Sequence, residues 1–122
     1  MEYTISIGSN ERRMENMMLA RRRLTELFSD IRFSEEEETE PLFFQGPNLF
    51  SNQVARFVSD KRVEEVLARL KAIEREAGRL PEDKKREIVR LDIDLLSCDE
   101  TVYKPEDLKR DYIVRGLKLL DN

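Results

Sequence analysis

Histidine and tryptophan are absent from this chain, cysteine occurs once, at Cys98, and glycine and proline occur four times each. Without histidine there is no imidazole for acid–base chemistry, no Ser-His-Asp or Cys-His triad, and no His-ligated zinc. A metal site here must be built from carboxylate and other oxygen donors, which suits Mg²⁺ or Mn²⁺. A single cysteine forms no intramolecular disulfide, so nothing points to an oxidising compartment. No run of apolar residues approaches the ~20 that span a bilayer, and the Met-Glu-Tyr-Thr start carries no basic leader. The expectation is a soluble, cytoplasmic protein without a membrane partner. Excess positive charge is lacking too: 22 basic against 26 acidic residues leave a net charge of −4. General nucleic-acid binding needs phosphates neutralised by Lys and Arg, so it is not expected. One small phosphorylated ligand remains compatible, because a local patch can differ from the total.

What is present is a globular composition with a heavily charged surface: 39% hydrophobic and 39% charged residues in 122. That length fits one domain spanning residues 1–122, and it fixes no oligomeric state. Tyr3, Ile5 and Ile7 alternate with Thr4 and Ser6 as a strand, broken at Gly8-Ser9-Asn10, where Ser9 or Asn10 is placed to cap the next helix. Over Glu11–Asp30, apolar residues including Met14, Met17, Met18 and Leu24 recur at helical spacing, and the methionines read as core filler. Ile31 and Phe33 begin a strand pattern that runs into Glu35-Glu36-Glu37-Glu38, an exposed edge or a solvated loop. Pro41–Leu49 reads as a loop, apolar enough to pack down or close over a ligand.

Asn52–Val58 reads as a third strand, with Ser59 or Asp60 as the cap of a second helix that carries Val63, Val66, Leu67, Leu70 and Ile73 and ends at Gly78. A charged loop, Leu80–Glu87, leads to a strand over Ile88–Leu96. There Val89, Leu91, Ile93 and Leu95 face one way and Arg90, Asp92 and Asp94 the other. Pro105–Arg110 is expected to open a short helix, and Ile113–Leu120 a last short strand. The order predicts an α+β, ferredoxin-like βαββαβ fold, an antiparallel sheet with both helices on one face.

Asp92-Ile93-Asp94 is the most informative triplet. In a strand, residues i and i+2 face the same side with Cα atoms about 6.5–7 Å apart. Two carboxylates therefore project in parallel from a rigid platform, an arrangement that can share Mg²⁺ with a polyphosphate and neutralise charge during phosphoryl transfer. An antiparallel sheet also commonly has one wet face where polar residues alternate by default. Both readings stand on the spacing alone. Asn52 is likewise unusual within a strand, where Asn is depleted, which favours a specific hydrogen-bonding role.

Several landmarks, in order along nearly the whole chain, resemble the 6-hydroxymethyl-7,8-dihydropterin pyrophosphokinase family. They are Ile7-Gly8-Ser9-Asn10, Thr39-Glu40-Pro41-Leu42 followed by Gly46-Pro47, Phe50-Ser51-Asn52, Ile73-Glu74 with Gly78-Arg79, Leu91-Asp92-Ile93-Asp94-Leu95-Leu96, and Arg115-Gly116. The resemblance implies transfer of pyrophosphate from ATP, as co-substrate, to the pterin hydroxymethyl group in folate biosynthesis. It implies two Mg²⁺ ions held by Asp92 and Asp94. Asn52, with the backbone around Thr39 to Leu42, would hydrogen-bond the pterin edge; Phe50 would stack on it; Arg79 would contact the phosphates. No covalent intermediate is required, so positioning and electrostatics carry the chemistry.

The sequence departs from that family at identifiable places. The family's Trp-Gly-Pro-Arg run before the Asp pair is here Arg86-Glu87-Ile88-Val89, so Val89 stands where an arginine is expected. Arg90, expected on the face of Asp92 and Asp94, is the nearest substitute. Leu117 replaces a second stacking aromatic, and the family's histidine falls at about Lys109. These departures keep open a reading of a different class: a catalytically degenerate ferredoxin-like binding or assembly module.

Overall fold

The computed structural model describes residues 1–40 and 48–121. Its elements are β1 (Glu2–Ser9), α1 (Arg13–Leu27), β2 (Arg32–Phe33), β3 (Glu37–Thr39), β4 (Phe50–Val58), α2 (Val63–Glu76), β5 (Asp92–Cys98), β6 (Thr101–Val102) and α3 (Asp111–Asp121). A 3-10 turn at Pro81–Arg86 and another at Asp107–Lys109 interrupt the last two long connections. Most of the loop expected at Pro41–Leu49 lies outside the described residues. Among the described residues no helix is long and apolar enough to cross a membrane.

The strands form one sheet in the order β2-β4-β1-β5-β6, with β3 also paired to β4, and all pairings are antiparallel. This is the α+β ferredoxin-like architecture. β1 is central, which is why Tyr3, Ile5 and Ile7 are almost wholly buried. They meet Ala55 and Phe57 of β4, Ile93 and Leu95 of β5, and the apolar stripes Met17-Ala20-Leu24 of α1 and Val66-Leu70-Ile73 of α2. Strand alternation thus builds one dry face, and the helical period supplies two matching stripes.

Four local readings are corrected. Neither Ser9 nor Asn10 caps α1, whose N-cap is Arg12 at φ +45 with no side-chain cap bond. Their side chains instead bond the backbone of residues 87–90. Nor does Ser59 or Asp60 cap α2: the N-cap is Arg62, again with no side-chain cap bond. Met14 and Met18 are exposed, and only Met17 packs inside, because the buried stripe runs through Asn16, Met17, Ala20 and Leu24. Ile113–Leu120 is helical rather than extended. Ile113, Gly116 and Leu120 sit at i, i+3 and i+7, and that stripe packs on β4 from the face opposite α1 and α2, with Val54 and Leu96. The acidic run is a salt-bridged edge: Glu36 pairs with Arg21, Glu37 with Arg115 and Glu38 with Arg13.

Candidate active site

The face of the sheet away from α1 and α2 is only half covered by α3, and the candidate site lies in the remaining half. β-Sheet register fixes its rows. Gly8 is paired with Asn52 on one side and Asp92 on the other; Ser6 is paired with Val54 and Asp94. The alternation that points Ile93 and Leu95 into the core therefore turns Asp92 and Asp94 outward, level with Asn52. Gly8 belongs to this strand row rather than to a turn. A Cβ there would stand 3.3 Å from Asn52 Oδ1 and 4.0 Å from Phe50 Cδ1, so its missing side chain leaves the floor between amide and carboxylate open.

Asp92, Asp94, Asn52, Phe50 and Thr39 all line one cleft of about 760 Å³. The Asn52 side chain donates through Nδ2 to Thr39 Oγ1 at 2.5 Å, which fixes its amide at the cleft wall. The opposite wall comes from the segment before and within α3: Asp107, Lys109, Arg110, Tyr112 and Arg115. Arg115 also pairs with Glu37 of β3 at 2.7 Å. Asp92 and Asp94 also line a second, smaller cleft of about 370 Å³ on their other side, with Lys71, Glu74, Arg79, Tyr103 and Lys104. The acidic pair is the wall that the two clefts share.

Arg79 reaches Asp92 Oδ1 at 2.9 Å and Glu74 Oε2 at 2.8 Å through Nη1. Glu74 is itself anchored, since the same oxygen accepts the Ile93 N–H at 2.8 Å. Burial raises the Glu74 carboxyl above its ordinary value, against the pull of the Ile93 N–H and Arg79. Asp94 is pushed up to about 7, first by burial and then by the neighbouring Asp92 charge, with Lys104 opposing. Two carboxylates forced together at the margin of a low-dielectric core resist double ionisation, and a bound cation relieves that conflict.

The sequence-derived residues thus fall into four groups. Thr39, Phe50, Asn52, Asp92 and Asp94 converge on the larger cleft, and Arg79 joins Asp92 and Asp94 at the smaller one. Leu42 lies outside the described residues. Arg90 corrects an expectation: it lines neither cleft, and its Nε donates to Asp83 Oδ2 at 3.0 Å. The reason is the strand boundary. β5 begins at Asp92, so the alternation does not extend back to Arg90. Val89, by contrast, does line the larger cleft. Tyr112, Arg110, Asp107 and Lys104 were not found by sequence reasoning. They lie on a connection after β6 whose path depends on where α3 docks, and only Lys109 and Arg115 carried a family landmark.

The donor set fits Mg²⁺ in part of its shell. Among the described residues no three His, Cys, Asp or Glu side chains gather as a complete cage. Mg²⁺ commonly takes one or two carboxylates and fills its octahedron with water and substrate phosphate oxygens, so Asp92 and Asp94 suffice on the protein side. No curated protein matches the sequence. The family model for 7,8-dihydro-6-hydroxymethylpterin-pyrophosphokinase matches residues 4–122. With the match running through every strand and helix that shapes the two clefts, the chain belongs to the 7,8-dihydro-6-hydroxymethylpterin-pyrophosphokinase family.

Proposed function

We propose that this protein transfers the pyrophosphoryl group of ATP to 6-hydroxymethyl-7,8-dihydropterin, a step of folate biosynthesis. The observation that carries the reading is the placement of Asp92 and Asp94 as the common wall of two clefts. A reaction that joins two substrates through a polyphosphate needs its charge-neutralising groups between them, not at the end of one pocket.

In this reading the larger cleft takes the pterin. Asn52, held by Thr39, meets its polar edge, and Phe50 offers a ring face. The smaller cleft takes the nucleotide, with Arg79 and Lys104 beside the phosphates. Asp92 and Asp94 would hold two Mg²⁺ ions. Bound there, such ions would supply neutralisation of the charge on the phosphate oxygens. The pterin hydroxyl oxygen bonds to the β-phosphorus, the bond from that phosphorus to the α-phosphate oxygen breaks, AMP departs, and the hydroxyl proton passes to solvent. The absence of histidine is no obstacle, because the chain's task is to position and to stabilise charge.

One observation favours a second reading, binding without turnover. Val89 presents an apolar side chain to the larger cleft and Arg90 is committed to Asp83, so the cation expected just before the Asp pair is missing from the site. The test is AMP formation from ATP, Mg²⁺ and the pterin alcohol, beside calorimetric binding of a non-hydrolysable ATP analogue with Mg²⁺ and with EDTA. Pterin-dependent AMP, lost in the Asp92→Asn/Asp94→Asn variant, supports the enzyme. Mg²⁺-dependent analogue binding without AMP selects the second reading. No binding at millimolar analogue removes both.

A further inference from the structure

Outside both clefts sits a carboxylate that the reading above does not use. The Asp83 side chain is only 4% exposed in an otherwise charged connection. Its Oδ2 accepts two bonds, from the Leu80 N–H at 2.9 Å and from Arg90 Nε at 3.0 Å. Its backbone carbonyl accepts the Ile88 N–H at 2.9 Å. Its Oδ1 is buried and has no hydrogen-bond partner among the described residues. A connection that only had to be solvated would not sequester a carboxylate with one oxygen unpaired, since buried polar atoms without partners are rare and costly.

The partners of Asp83 show what that cost maintains. Leu80 follows Arg79, and Arg90 precedes Asp92 by two residues. One carboxylate oxygen therefore joins the two ends of the connection between α2 and β5, the ends that bring Arg79 Nη1 to Asp92 Oδ1 at 2.9 Å. The far end is fixed a second time from the end of β1 and the residue after it: the Ser9 hydroxyl donates to the Arg90 carbonyl at 2.7 Å, and Asn10 Oδ1 accepts the Val89 N–H at 2.6 Å. The Arg79 end is held within its own helix turn, where the Arg79 N–H donates to the Glu74 carbonyl at 3.2 Å and Nη1 pairs with Glu74 at 2.8 Å, and the Leu80–Asp83–Arg90 link ties that end to the start of β5.

We propose that Asp83, acting through Arg90, is a positioning residue that sets Arg79 against Asp92 where the two clefts meet. The proposal rests on the reading of Arg79 and the Asp pair given above. Neither Asp83 nor Arg90 lines a cleft, so neither touches substrate; their effect passes through Arg79. A displacement of about 1 Å at a group that contacts phosphate can cost on the order of 10²-fold in rate, so a small loosening of this link is visible in turnover.

The experiment compares Asp83→Asn, Arg90→Gln, Arg90→Lys and the Asp83→Asn/Arg90→Gln double variant, each first shown to be folded by thermal melting. Expected is a fall in kcat of about tenfold or more in Asp83→Asn and Arg90→Gln, with KM for ATP raised and KM for the pterin unchanged. The double variant is no worse than the worse single one, the signature of two residues acting as one unit. Arg90→Lys recovers part of the loss. A folded Asp83→Asn protein with wild-type constants, or additive losses that raise the pterin KM equally, overturns the proposal. A second readout is independent of turnover. The Arg79 Nε–H signal in NMR, assigned by its loss in Arg79→Lys, is sharp and shifted while Arg79 is held by Asp92, and Asp83→Asn returns it to the solvent-exchanging average. If the wild-type protein makes no AMP, the enzyme reading fails, and an Arg79 signal unmoved by Asp83→Asn would separately sink the positioning role.

Discussion

The two faces of this sheet are made by the same strands yet differ in what covers them. On one face β1, β4 and β5 present Tyr3, Ile5, Ile7, Ala55, Phe57, Ile93 and Leu95 to two helices. There Phe28, Phe57 and Tyr3 stack in series, with centroids 3.9 and 5.1 Å apart. On the other face, among the described residues, α3 alone docks, closing over Val54 and Leu96 with Ile113 and Leu120 and leaving Ser6, Gly8, Asn52, Asp92 and Asp94 beside a cleft. A fully covered face spends its residues on stability. A half-covered face places polar groups at the margin of a dry core, where burial perturbs them and a ligand can still enter.

The largest effect should fall on the covered face. Phe57→Ala removes the centre of the aromatic stack at 2% exposure and is expected to cost about 3–5 kcal/mol. Leu120→Ala, at the margin of the smaller cluster, should fall near the low end of the 2–5 kcal/mol expected of such truncations. Urea denaturation of both variants makes the comparison, and equal losses would mean that α3 seals its face as firmly as α1 and α2 do theirs.

The next effect belongs to the margin itself and appears as a pH dependence. Asp94 has its carboxyl raised from 3.8 to about 7. Below pH 4 it is protonated in both folded and unfolded chains and has no effect on stability. Between pH 4 and 7 the unfolded chain releases this proton while the folded chain keeps it, so stability falls as pH rises. Above 7 the loss is complete. Each unit is worth about 1.4 kcal/mol, which puts the total on the order of a few kcal/mol. Asp94→Asn should therefore match the wild type near pH 4 and be more stable at pH 8, read as the difference between their denaturation midpoints. Mg²⁺ should shrink that difference. A wild type whose stability rises from pH 4 to 8 relative to Asp94→Asn would show that the carboxylate is well solvated.

These positions also show what sequence could convey. Period-two alternation places Tyr3, Ile5 and Ile7 in the core and Asp92 and Asp94 outside it, because a strand offers only two faces and the core claims one. The convergence of Asn52 on the same cleft follows from register with β1. The sequence does not state that register, but Gly8 implies it once Asn52 and Asp92 are known to flank it. Ile113–Leu120 misleads because a short apolar segment with β-branched residues fits either period, and what selects the helix is the fit of Gly116 against β4. Arg90 misleads because the alternation of β5 begins only at Asp92. Its actual partner, Asp83, is held by a 3-10 turn with no periodic signal at all.

A smaller loss should come from the contact that seats α3. A Cβ on Gly116 would lie 2.9 Å from Val54 Cγ2 and 3.2 Å from Ser34 Cβ, both in the tightly packed β2–β4 region. Overpacking of this kind costs about 1–3 kcal/mol, while replacing a helical glycine by alanine returns about 1 kcal/mol. Gly116→Ala should therefore be destabilising by up to about 2 kcal/mol, and a variant more stable than the wild type would show that α3 slides on the sheet without resistance.

The smallest effect sits at the rim. Arg115 grips Glu37 through Nη2 at 2.7 Å and through Nε at 3.2 Å to both carboxylate oxygens, but the two side chains are 57% and 33% exposed. Solvent screens such a pair, and salt weakens it further. Arg115→Ala should then cost less in chemical denaturation than any variant above, with the loss vanishing near 1 M salt. The pair joins α3, which helps line the cleft, to the edge strand β3, so its value to the protein is not measured by stability. If Arg115→Ala cost as much as Leu120→Ala, the half-covered face would owe its closure to this rim rather than to the apolar contacts beneath it. The contrast between the two faces would then be one of construction and not only of coverage.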